Sequence, residues 1–461
     1  MVRQTVANKS HQGYKAPIPH GCRGRGLQHE RALKSALLCL VFGSAAGIAQ
    51  QQPTITAGKY VGPGSCSATA CHGSIRPIAG SRVLQNEYST WILQDKHAQA
   101  YRALQTPLAQ RMAKIMGLES ATSAQRCLVC HALSVPAEKR GREFDISEGV
   151  TCENCHGPAS GWLGPHTLKN SKHEQNVQLG LNDLPNLTTR AKQCLTCHIG
   201  TSEKNVDHEL IAAGHPDLVF ELDSYQVVMP MHWKKPTEPA TGIRTWSVGQ
   251  AVKLQEALLR LARRAQGPTW PEFAEMECFA CHHDLTKADK SWRQERGYDN
   301  RRPGNPPWNA AHYAVLRVAL KSVDPSLAAQ LDKDFDSVYA LASRINTDRP
   351  ALEREATRAA GTAGQIAQRL NGMEFNSDQA SRMISAIVNN SDELSSQGTR
   401  TAEQAAMALE ALMAAQGRST NTDVKASIDE LFKQLENPSQ YNGPRFAAQM
   451  KRLSSGAAAG K

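Results

Sequence analysis

Ten cysteines beyond residue 49 fall into five pairs, and a histidine closes each pair: CSATACH (Cys66, Cys71, His72), CLVCH (Cys127, Cys130, His131), CENCH (Cys152, Cys155, His156), CLTCH (Cys194, Cys197, His198) and CFACH (Cys278, Cys281, His282). Two thiols at this spacing can add to two vinyl groups of one porphyrin, and the imidazole that follows reaches the central metal from one face. Zinc sites and disulfides also use CxxC pairs, and an exported chain is a natural place for disulfides. Neither needs histidine directly after the second cysteine, and here all five pairs have it. No cysteine beyond residue 49 is left over. The cofactor predicted by these residues is therefore five covalently bound haem c groups, with the ten cysteines holding the porphyrins and the five motif histidines binding iron.

An iron held from one face leaves a second axial position. Eight further histidines lie beyond residue 49: His97, His166, His173, His208, His215, His232, His283 and His312. Histidine is the usual strong second ligand of low-potential electron-transfer haems, and it makes iron six-coordinate, a good wire and a poor substrate site. His208 and His215 follow the fourth motif closely within DHELIAAGHPDLVFEL, and His232 in MHW precedes the fifth. These are natural ligands for haems four and five, with the pairing left open. His283 adjoins His282, too close along the chain to reach the same iron. His173 and His312 are reserves. Glu209, Glu221 and Asp223 are placed to orient ligand imidazoles through hydrogen bonds.

The first motif, with four residues between its cysteines, resembles sites in the tetrahaem cytochromes of sulfate reducers. A broader likeness runs over about residues 60 to 200: CxxxxCH, then Trp91 followed by Lys96, His97 and Ala98, then CLVCH, then EGVTCENCHGP with His166 nine residues after Gly157, then CLTCH. This order resembles the tetrahaem cytochrome c family of ammonia oxidisers, which accepts electrons from hydroxylamine oxidoreductase. The family's haem packing is similar to that of hydroxylamine oxidoreductase and of pentahaem nitrite reductases. The resemblance implies that His166 is the distal ligand of the first haem, that His97 serves the third, and that the haem on Cys127, Cys130 and His131 has an open face. A fifth motif lies beyond the family pattern.

The elements that position these groups read as short helices and loops. Gly, Pro and Asn-rich turns separate stretches such as Trp91 to Gln105, and little alternates as a strand does. Aromatic residues are only 5% of the 461, so porphyrins must supply much of the apolar interior. The fold class expected is mainly α with many loops, a multihaem cytochrome c fold wrapped around stacked haems, plus a C-terminal helical bundle. Beyond His312 there is neither cysteine nor histidine. There Val424, Ile428, Leu431 and Leu435 recur on one face behind the capping candidates Asn421 and Thr422, and Asn437-Pro438 marks a stop. Thr401 and Gln404 have the form of a capping box, with Gly417 ending that helix. The domains expected are a basic leader and signal peptide over 1–49, a multihaem domain over 50–325, and a helical bundle with a disordered tail over 326–461.

The leader rests on Arg31 and Lys34 before the apolar run from Leu37 to Ala49, too short to span a bilayer comfortably. A periplasmic or otherwise exported protein follows, without a stable membrane span once the signal is removed. Removing residues 1–49 takes the formal charge from +10 to about +4, and haem propionates then add about ten negative charges, so nucleic acid is not an expected partner. The partners expected are a redox donor and acceptor. Three function classes remain: an electron carrier, which ranks first; a reductase of a small nitrogen or sulfur oxyanion at one five-coordinate haem; and an assembly subunit. The absence of a CxxCK motif, the lysine-ligated site of many pentahaem nitrite reductases, weighs against the reductase. No catalytic residue is assigned.

Overall fold

The computed structural model of the chain describes residues 58–234, 241–282 and 305–455. The leader, His283 and the residues beyond 455 lie outside these segments. Among the described residues the chain is mainly helical and has no strand, only two isolated bridges, Tyr60 with Arg140 and Met276 with Trp308. No described helix is long and apolar enough to cross a membrane.

Through residue 234 the helices are short because attachment motifs and turns punctuate them. The ones used below are α1 (Glu87–Gln94), α2 (Gln125–His131), α3 (Cys152–His156), α4 (Leu187–His198) and α5 (His208–Ala212). A helical turn puts residues i, i+3 and i+4 on one face. The second, third and fourth motifs therefore present both thiols and the imidazole together from α2, α3 and α4. The longer first motif forms a turn instead, and the fifth begins on a 3-10 turn, Cys278–Ala280.

The helix expected from Trp91 to Gln105 is broken. α1 ends at Gln94, a 3-10 turn covers Lys96–Gln99, and helix resumes at Ala100. Asp95 causes the break, since its Oδ1 accepts the His97 backbone N–H at 3.0 Å, a local bond that competes with the helical ladder. The loop entering α3 then closes on this turn. Gly149, at φ +79°, passes so near that an added Cβ would sit 2.9 Å from the His97 carbonyl oxygen, and the Val150 N–H donates to that oxygen at 3.0 Å. Glycine is needed there for both the left-handed backbone and the close approach.

Beyond residue 240 the helices are long: α6 (Thr241–Gln266), α7 (Ala314–Val323), α8 (Pro325–Ala342), α9 (Arg349–Asn371), α10 (Ser377–Asn389), α11 (Thr399–Ala415), α12 (Thr422–Gln434) and α13 (Gly443–Ser455). α6 is buried on most of its circumference, with Trp246, Val252, Leu254 and Leu258 almost fully enclosed, and it packs mainly on α9 and also on α4. The alanines Ala356, Ala359, Ala360, Ala363 and Ala367 on α9 are buried and allow helices to approach closely. One apolar core runs from Leu187 on α4 to Leu453 on α13. It crosses the boundary expected at 325/326, because α6, which lies well before that boundary, is buried on most of its circumference and is part of this core.

Asn421 caps α12, accepting the N–H groups of Asp423 and Val424 at 2.9 and 3.1 Å. Gly417, left-handed at φ +74°, follows the end of α11. The capping box expected at Thr401 and Gln404 is not formed. α11 already begins at Thr399 after Gly398, Thr401 is buried inside the first turn, and Gln404 Oε1 instead accepts from the buried Lys253 ammonium.

Candidate haem-binding site

Four motif histidines face a second histidine outside the motifs at nearly one distance. The ring centres of His72 and His166 are 6.2 Å apart, of His198 and His97 6.3 Å, of His131 and His215 6.3 Å, and of His282 and His208 6.2 Å. The angles between ring planes vary widely, at 9°, 86°, 89° and 31° respectively. Ordinary aromatic packing couples distance to angle, with stacked rings closer than edge-on ones. Here distance is constant and angle is free, as for two ligands of a common centre. Two imidazoles bound to opposite faces of one metal, each through a bond of about 2 Å, place their ring centres about 6.3 Å apart. The donor set fits haem iron.

The same residues do not suit a bare metal ion. Among the described residues no group of three His, Cys, Asp or Glu side chains converges to hold one. The donors come as facing imidazoles beside a pair of thiols, the set a porphyrin needs.

His156 of the third motif has a different setting. Burial, with the nearby His232 and His72, lowers its imidazole to about pKa 4. A neutral imidazole keeps the lone pair that a metal takes. His232 Nδ1 donates to the Pro230 carbonyl, 3.2 Å away, and the ring lies edge-on to Trp233 at 5.0 Å. Burial likewise pushes His198 down to about 4. The thiols of Cys155 and Cys194 rise to about 12 and about 11, again chiefly through burial, and so stay protonated.

Thiols from different motifs meet. Cys66 lies within hydrogen-bonding reach of Cys152, and Cys130 within reach of Cys197. Cys155 is close enough to feel the charges of Cys194 and Cys197. None of the ten is joined to another in a disulfide. The first motif is thus beside the third, the third beside the fourth, and the fourth beside the second. α5 carries the link onward: His208 at its start faces His282 of the fifth motif, and His215 just past its end faces His131 of the second.

The helical part holds the last two motifs in register. Arg260 on α6 donates to the Ile199 carbonyl at the end of α4 at 3.0 Å and to Glu275, three residues before Cys278, at 2.8 Å. Arg264 donates to Glu275 at 2.6 Å and to the Val206 carbonyl at 2.8 Å. Burial alone would raise the Glu275 carboxyl, but the two guanidinium groups outweigh it and hold it at about 2. Arg400 on α11 donates to the Met276 carbonyl at 3.2 Å.

Several sequence expectations shift. His97 faces His198 of the fourth motif rather than the third, because the Asp95 turn aims its ring toward α4. His215 faces His131, where an open position was expected. His173 pairs with Asp183 at 2.9 Å at the surface, and His312 lies in a cavity lined by Arg260, Arg264 and Arg400. Glu209 pairs with Arg126, and Glu221 caps the helix that follows it through the Asp223 and Ser224 N–H groups. The carboxylates that do reach these imidazoles were not singled out from the sequence: Glu87 at His72 Nδ1, 2.9 Å, and Asp95 at His97 Nδ1, 3.0 Å. Asp95 stands two residues from its histidine and was within reach of a local reading. Glu87 is fifteen residues from His72, with no spacing signal.

Residues 66–157, about a fifth of the chain, match the family model described as cytochrome c554 and c-prime. That segment contains the first three motifs. The match supports a multihaem c-type cytochrome with covalently bound haem c, a role in electron transfer and redox partners. No curated protein and no solved structure matches the chain.

Proposed function

We propose that this chain is an exported pentahaem c-type cytochrome that passes electrons between redox partners through haems with histidine on both faces. The ten motif cysteines hold the porphyrins. The irons would be held by His72 with His166, His131 with His215, His198 with His97 and His282 with His208, which face each other, and by His156 with the nearby His232. The observation that carries the reading is the repeated 6.2–6.3 Å separation of motif and non-motif rings at unrelated angles. When bound, each haem supplies a one-electron iron couple. The protein would hold an imidazole on each face of the iron and so exclude a substrate from it. The thiol contacts support an order of first, third, fourth, second and fifth haem, with the last pair joined through α5.

Denaturing mass spectrometry of the purified mature protein should find five covalent haems, one on each cysteine pair. Replacing His166 or His215 with alanine should keep all five attached and convert one iron from low to high spin by electron paramagnetic resonance. Zinc in place of haem, or unchanged spectra in both variants, would overturn the reading.

A second reading, reduction of a small nitrogen or sulfur oxyanion at one open iron, has one observation in its favour. His156 and His232 do not share the ring spacing of the other four pairs. The native ferrous protein distinguishes the two: a carbon monoxide response from one haem, abolished in His156→Ala, would favour the reductase, and no response would favour the wire.

A further inference from the structure

The ligand histidines differ in what their Nδ1 atoms meet. His131 Nδ1 faces the Ala100 carbonyl at 3.0 Å, His166 the Leu163 carbonyl at 2.6 Å, His215 the Pro216 carbonyl at 2.8 Å and His232 the Pro230 carbonyl at 3.2 Å. His72 and His97 instead face carboxylates. Glu87 Oε2 lies 2.9 Å from His72 Nδ1, while its Oε1 accepts the Leu84 N–H at 2.8 Å, which fixes the rotamer. Asp95 Oδ1 lies 3.0 Å from His97 Nδ1 and also accepts the His97 N–H. Both carboxylates are well enclosed, with side chains 16% and 5% exposed, so water screens them poorly.

We propose that Glu87 and Asp95 are positioning residues that lower the reduction potentials of two haems, those on the first and fourth motifs, below the values a carbonyl partner would give. The inference rests on the pentahaem reading. With Nε2 on iron, Nδ1 carries the proton and donates it toward the carboxylate. The shared proton gives the imidazole imidazolate character and makes it a stronger electron donor, which favours the ferric state. The fixed negative charge acts in the same direction, because reduction adds an electron to the iron beside it. Electrons entering the chain therefore rest on other haems before these two.

A purely structural role is the competing account, since Asp95 caps a turn and Glu87 holds Leu84. Asp95→Asn separates the two, because a single amide oxygen can keep both bonds that Asp95 Oδ1 accepts while the charge is lost. In Glu87→Gln the amide oxygen keeps the Nδ1 hydrogen bond only by giving up the Leu84 N–H, so that variant is read beside Glu87→Asp, which keeps the charge. Each variant should raise the midpoint of one haem in a mediated spectroelectrochemical titration, by about tenfold in the reduced-to-oxidised ratio at fixed ambient potential, or about 59 mV for one electron. The double variant should move two haems, and Glu87→Asp should restore part of the shift. Five covalent haems and low-spin spectra should persist throughout. Unmoved potentials with all five haems in place would overturn the proposal and leave the pentahaem reading standing. So would loss of a haem or of low-spin ligation in the amide variants, since a tuning group is dispensable for attachment. A wild-type chain with no haem on the first or fourth motif would overturn both.

Discussion

The two parts of this molecule solve the problem of an interior in opposite ways. Between residues 241 and 455, long helices bury side chain against side chain in a core that reaches from Leu187 to Leu453. Before residue 235, the other apolar cluster is small, made of Leu104, Ala113, Ala121, Leu128 and Ala132 with a few partly buried neighbours. That part is held largely by point contacts. Glu153, buried within the third motif, accepts the N–H groups of Val61, Gly62 and Ala159 at 2.9, 2.8 and 2.7 Å. A chain organised this way needs a nonprotein interior, and facing imidazoles beside paired thiols are what porphyrins would fill. Apolar surface that the sequence withholds is surface that the cofactor must provide.

The largest effect should come from withholding haem. With the ten motif cysteines replaced by serine, residues 58–234 should become rapidly cleaved by protease while much of the helical content of 241–455 persists in far-ultraviolet circular dichroism. Equal protection of both parts would erase the contrast. A smaller test works from the other side: Leu258→Ala, in the centre of α6, should cost about 2–5 kcal/mol in denaturant unfolding of the helical part. Haem attachment and low-spin spectra should be retained.

Glu275 sharpens the comparison because it joins the two parts. Its carboxyl is held at about 2 by Arg260 and Arg264, below the ordinary value of 4.5. A depressed folded-state value means stability that is fully present above about pH 4.5 and is lost as pH falls toward 2, worth about 3 kcal/mol. Unfolding followed across that window should show the slope in the native chain and lose it in Glu275→Gln. His173 stands at the small end. His173→Ala should change stability by less than about 0.5 kcal/mol and alter no haem spectrum, because its partner Asp183 is also at the surface.

How much of this was legible in the sequence depends on range. The five cysteine-pair motifs are local, because two thiols and one imidazole that are to meet one porphyrin must lie within a short stretch of chain, and so they can be read residue by residue. The cap at Asn421 and the left-handed Gly417 are local too, and the structure has both. The break at Asp95 was missed although it is local, since apolar periodicity across Trp91 to Gln105 masked a side chain that competes with the helix. The partner of each imidazole was not legible. His97 meets His198 across a hundred residues, and His215 faces His131, where family likeness implied an open position.

The sequence by itself determined the groups from which the chemistry is read: five cysteine pairs each closed by histidine, further histidines available as second ligands, and a cysteine-free, histidine-free helical region after His312. Each follows from residue type and near-neighbour spacing. The tertiary structure alone decided which rings face each other, which motifs adjoin, that Glu87 and Asp95 rather than Glu209 or Glu221 reach imidazoles, and that α6 belongs with the helices after residue 325. Those are relations between segments far apart in the chain. The place of α6 and of the last two motifs rests on burial of α6 and on the Arg260, Arg264 and Glu275 network, whose energies depend on three-dimensional neighbours that no local spacing encodes.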